Sequence, residues 1–194
     1  MLSRRLLRIK VVKALYGHVQ CDGDNLMAAQ TTLLNSVDAT YNLYLLLLQL
    51  PVEIASNIRK MQEIAKAKHL ATYEDRNPNT RFVDCKVVQL IENNDELNDY
   101  ASAKGVNWSQ YPDVVKEITA NFIASEAYKR YLKSQYNNPV DDDVILLTDL
   151  FVEQLQSSEM LEEAIEAISI SMSSDLVYAL PLVMRTLSSI RNSS

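Results

Sequence analysis

Residues 41–50 read YNLYLLLLQL, the most apolar run in the chain. Ten residues fall far short of the ~20 that a helix needs to cross a bilayer, so the run reads as a buried helix. Leu43, Leu46, Leu47 and Leu50 recur at spacings of three, four and seven, the stripe of a central core helix. Working back, the helical pattern reaches Asn25, with a change of direction expected near Asn35-Ser36. Working forward, Pro51 has no amide hydrogen and either kinks or ends the helix. Val52 to Leu70 then continues as helix, with Ile54, Ile58, Met61 and Ala65 as its apolar face. Arg59, Lys60, Lys66 and Lys68 lie toward the C-terminal half, where the helix dipole favours cations. They read as a solvated face ahead of a phosphate-contacting patch.

The composition agrees with a helical core. Of 194 residues 47% are hydrophobic, while only 3 Gly and 5 Pro are present, too few for a turn-rich β fold. The chain is long enough for one good-sized domain or two small ones, and it reads as a single all-α domain over residues 1–194: a bundle of eight to ten helices without a sheet. Two cysteines, Cys21 and Cys85, make no disulfide framework, and a reducing compartment is the default. A cytoplasmic protein with no membrane partner is expected.

The first twenty residues, MLSRRLLRIKVVKALYGHVQ, differ in charge from everything after them. Arg4, Arg5, Arg8, Lys10 and Lys13 precede the first acid, Asp22. The whole chain has 19 basic and 25 acidic residues, so the 14 basic and 25 acidic residues outside this stretch leave about −11. A basic helix on an acidic body points to a polyanion at one end. Leu2, Leu6, Ile9 and Tyr16 form one helical stripe, and Leu7, Val11, Ala14 and Leu15 widen it, so much of this helix is expected to be buried. Arg4, Arg5 and Arg8 fall within about a third of a turn and can face one partner together. The competing reading is a solvated basic face on a core helix. Arg8, Lys10 and Lys13 interrupt the apolar residues, which makes the stretch a poor signal peptide.

Beyond the central helices the signals are local. Cys21-Asp22-Gly23-Asp24 is a turn in which Asp22 or Asp24 can cap the next helix. Ala71 to Arg81 reads as a loop, followed by short helices over about Asp84–Glu92 and Asp95–Lys104, stopped by Gly105. Trp108 reads as a core anchor before Pro112, which opens a helical region to Gln135 broken near Ala124-Ser125. Tyr128, Tyr131 and Leu132 share a side with Lys129, Arg130 and Lys133 nearby. A single-strand binder could use that pattern, but long side chains covering the rim of a core rank first. Asn138-Pro139 opens the next helix, and Asp141-Asp142-Asp143 complement its dipole better than they fit a calcium loop. Ser157 or Ser158 caps an acidic helix bearing Glu162, Glu163 and Glu166, and Ser173-Ser174-Asp175 starts the last helix, which Pro181 kinks.

Arg4-Arg5, Arg8 and then Ala14-Leu15-Tyr16 resemble the opening helix of the NusB family, whose pattern is a cluster of arginines followed by Ala-Leu-Tyr. Leu6 stands where members often have a further arginine, and Lys13 where they often have glutamine. The later stretch Asn77-Pro78-Asn79-Thr80-Arg81-Phe82-Val83-Asp84 is similar to a segment of a longer NusB variant with extra helices after the opening one. The resemblance implies an all-helical transcription antitermination factor that binds box A-like single-stranded RNA. It also implies a small-subunit ribosomal protein and the transcription elongation complex as partners. On that comparison Arg4, Arg5 and Arg8 contact phosphates, Tyr16 meets a base, and Lys10 and Lys13 add positive field. The family's C-terminal helices are not recognised before Arg191-Asn192-Ser193-Ser194, so a fragment of a longer protein or a shortened relative is expected.

No feature of the sequence points to an enzyme. The glycines are too scattered for a phosphate-binding loop, and there is no nucleophile elbow. His18, Cys21, His69 and Cys85 formally make a two-His, two-Cys set, but without finger-like spacing, so no metal or other cofactor is expected. The second functional reading is a helical protein-interaction module without RNA binding, docking its acidic body on a basic partner. Exposure of the Arg4/Arg5/Arg8 face, or its coverage by acids such as Glu162 or Asp142, separates the two.

Overall fold

The computed structural model describes residues 2–20, 25–133, 139–155 and 158–193, without side-chain detail at Gln154 and Ile170. The helices are α1 (Arg4–Gln20), α2 (Leu26–Lys66), α3 (Tyr73–Arg76), α4 (Lys86–Glu92), α5 (Asp95–Lys104), α6 (Pro112–Ala124) and α7 (Glu126–Lys133). Then follow α8 (Pro139–Asp149), which runs into a π-helical turn (Leu150–Leu155), α9 (Glu159–Ile168), α10 (Ile170–Ser173) and α11 (Leu176–Ser193). No strand occurs among the described residues, and the fold is an all-α multi-helix bundle.

The leucine run makes α2 the axis of the bundle. Leu43, Leu47, Leu50 and Ile54 are wholly buried, and α1, α3, α4, α5, α6, α10 and α11 all pack against this helix. At 41 residues it is about 60 Å long. No residue of α2 before Ala39 is buried, so its first three turns project from the core with α1 alongside. The expected change of direction near Asn35-Ser36 is absent, and α2 continues through Pro51, which is buried inside it. A helix this heavily packed holds its course by tertiary contacts despite the amide that proline removes. Its N-cap is Asn25, whose Oδ1 accepts from the Ala28 amide at 3.1 Å. The turn at residues 21–24 lies outside the described residues, as does Asn138.

Several local signals are realised. Gly105 ends α5 in the left-handed region at φ 66°, and Asn94, between α4 and α5, caps its start, a role not expected from the sequence. Pro112 occupies the first turn of α6, and Ser125 separates α6 from α7. Trp108 is 1% exposed, and its indole N–H donates to the Leu46 carbonyl at 2.8 Å, pinning the loop to α2. Tyr128 and Tyr131 are buried beside Phe82 and Phe122, with Phe82 and Phe122 centroids 4.9 Å apart. Ser158 caps α9, accepting from Leu161, and Glu162, Glu163 and Glu166 point outward.

Two further expectations need correction. The loop over 71–81 contains the one-turn helix α3, closed by a capping box between Thr72 and Asp75. The three aspartates at the start of α8 do more than complement a dipole. Asp141 accepts from Arg191 at 2.7 Å, Asp142 pairs with Arg81 at 3.5 Å, and Asp143 is 4% exposed, bonded to two other elements.

Candidate nucleic-acid interface

Helix α1 begins at a Ser3 cap, whose Oγ accepts from the Leu6 amide at 3.2 Å. Its residues are good helix formers, and apolar side chains lie on every side of it, so the sequence does not select a single buried face. The fold selects one narrow strip. Only Leu6 and Lys10 are buried, with Leu2, Ile9, Ala14 and His18 half-buried beside them. The expected broad burial of Leu7, Val11 and Leu15 does not occur, because α2 and the chain around Asp175 cover α1 from one side. Tyr16 is likewise outside the core, at 66% exposure.

At 100° per residue the outward face has two halves. Arg4, Arg5 and Arg8 occupy the N-terminal half, all exposed, and none forms an ion pair with a described residue. Val12, Leu15, Tyr16 and Val19 occupy the C-terminal half, each half exposed or more. The two acids named above as candidates to cover the arginines do not do so. Asp142 pairs with Arg81, and Glu162 faces solvent.

Lys10 and Lys13 depart from this face. Lys10 Nζ lies 2.6 Å from Asp175 Oδ2, with both side chains about 5% exposed or less, and Thr40 Oγ1 donates to the same carboxylate oxygen at 2.6 Å. Its charge is neutralised inside the fold, so it adds no field at the surface. The signal was present in the spacing: Lys10 follows Leu6 by four and shares its stripe. Nothing in the sequence pairs it with Asp175, 165 positions away. Lys13 stays exposed on the flank and donates to Ser174 Oγ at 3.2 Å.

The second concentration of polar groups lies under α4, α7 and α8. Asp143 accepts from the Tyr131 hydroxyl at 2.7 Å and from the Lys86 amide at 3.0 Å, which caps the N-terminus of α4. The Arg81 guanidinium sits 3.9 Å over the Tyr131 ring. Burial pushes the Cys85 thiol up to about 12, with Asp143 adding to the effect, and burial also raises the Tyr131 phenol. Both groups are held protonated, the opposite of what a nucleophile requires. The constellation fastens three helices together. It also explains the stretch Asn77–Asp84: Asn79 accepts from Gln62 through its carbonyl at 2.9 Å, Arg81 reaches α7 and α8, and Phe82 fills the core.

Among the described residues no group of three metal-ligating side chains is assembled, and Cys21 lies outside them. No described helix is long and apolar enough to cross a membrane. No family model, curated protein or solved structure matches this chain.

Proposed function

We propose that this chain binds single-stranded RNA through the outward face of α1, as a transcription antitermination factor of the NusB type working with a small-subunit ribosomal protein. The observation that carries the reading is the state of Arg4, Arg5 and Arg8: exposed, on one face, and without a described acidic partner on an otherwise acidic molecule. Guanidinium groups left unpaired in that way suit phosphates, which they bind bidentately. Tyr16 extends the same face with an exposed ring on which a base can stack. The resemblance of the opening helix supplies the class of RNA.

Phosphate contacts release counterions, so affinity falls with salt at a logarithmic slope of about 0.7 per contact on a single strand. Fluorescence anisotropy with a box A-type RNA and a scrambled control, at several salt concentrations, is the test. Replacing Arg4, Arg5 and Arg8 with Ala should reduce the slope by about 2, because each of the three arginines neutralises one phosphate. An unchanged slope overturns the assignment of these residues.

A second reading has its own support. Val12, Leu15 and Val19 form a solvent-exposed apolar row that RNA phosphates do not use, and a helical partner protein would bury it. Absence of RNA binding at low salt would favour this reading.

A further inference from the structure

A cleft of about 610 Å³ opens between α2, α11 and the residues leading into α1. Leu2, Asp38, Tyr41, Tyr44, Arg185 and Thr186 are among its walls. The volume is that of a small-molecule site rather than a packing defect. We infer that this cleft receives one base of the RNA strand whose phosphates lie along α1. The inference rests on the RNA-binding reading above.

Three observations carry it. The first is an aromatic platform held in place. Tyr41 is 45% exposed, stacks on Tyr44 with centroids 5.8 Å apart, and meets the Tyr100 ring edge-on at 5.2 Å. Tyr44 is fixed by a 2.8 Å hydrogen bond between its hydroxyl and Thr186 Oγ1, and Tyr100 donates to Asn42 Oδ1 at 3.3 Å. A ring held by two neighbouring rings and still 45% exposed loses little entropy when a base packs against its open part.

The second is charge. Arg185 is exposed in the wall and pairs with no described acid, and Lys104 stands 5.9 Å from the Tyr100 ring. Asp38 lines the cleft as well, and the field of Glu96 reaches Tyr41. Cations and acids together make the cleft unsuited to a run of phosphates but suited to a base: Arg185 takes one flanking phosphate, and Asp38 accepts from an amino or imino edge.

The third is continuity. Leu2 lines the cleft and is two residues from Arg4, so their α-carbons are at most about 7.6 Å apart. The cleft therefore opens beside the start of α1, and a strand bound at the arginines has only the N-terminal end of that helix to round before a base turns inward.

The test uses the full chain with a box A-type RNA carrying single 5-iodouridine substitutions. Irradiation followed by mass spectrometry should place a cross-link on Tyr41 or Tyr44. Tyr41→Leu should weaken RNA binding about tenfold at every salt concentration, with the salt slope kept, since a stacking contact releases no counterion. Arg185→Gln, an exposed change that leaves folding intact, should lower the slope by about 0.7. Thermal melting of each variant reports its fold. Full affinity in both variants, with cross-links confined to α1, overturns the cleft while the α1 reading stands. Failure of the unmodified chain to bind RNA overturns both.

Discussion

Lys10 and Asp175 meet 2.6 Å apart in a site where both are nearly inaccessible, and Thr40 donates to the same oxygen. Desolvating two charges roughly cancels their attraction, whereas removing one partner strands the other. Lys10→Met should therefore destabilise the fold by about 3–5 kcal/mol, read as a fall in the urea midpoint. Combining it with Asp175→Leu should recover much of that loss. The same variant separates structure from recognition, because a residue that never meets solvent should leave the salt slope of RNA binding unaltered once folding is restored. Arg4 and Lys10 are alike as basic residues on one helix. Their fates diverge because Lys10 lies in register with Leu6 while Arg4 faces away, and the depth of that register depends on what packs there.

At the scale of elements, punctuation was the most legible feature. Gly105 stops α5 because its φ of 66° is open to glycine and costly for other residues, and a Cβ there would meet nothing within 4 Å. Gly105→Ala should thus cost about 1–2 kcal/mol through the backbone alone, with Gly105→Asn costing less. Chemical denaturation of the two variants checks the order. Caps at Asn94 and Ser158 and the break at Ser125 follow the same local logic. Periodicity failed where a helix is apolar all round. In α1 it could not say which strip faces inward, and in α2 weak local signals near Asn35 yielded to a continuous helix supported by its neighbours.

Over the whole molecule, the polar cluster of Asp143, Tyr131 and Cys85 joins α4, α7 and α8, and it makes stability depend on pH. Cys85 is raised from 9.0 to about 12, and Tyr131 is raised above its ordinary 10.0, in each case chiefly by burial. Both groups are neutral when protonated, so the folded state holds these protons more tightly than the unfolded chain. Their stabilisation is complete below about pH 9 and is lost as pH rises toward 12. Urea midpoints at pH 8 and 10.5 should show the fall, and Cys85→Ala should make it shallower. The sequence by itself determined the helical class, the leucine axis at residues 41–50, most helix ends and the separation of a basic end from an acidic body. These follow from periodicity, glycine and proline conformation, and charge count, all of which act over a few residues. Only the tertiary structure decided that Lys10 is buried while Arg4, Arg5 and Arg8 stay open, and that Tyr41 and Arg185 share one cleft. Such pairings span more than a hundred positions, and close packing around α2, rather than any local preference, brings them together.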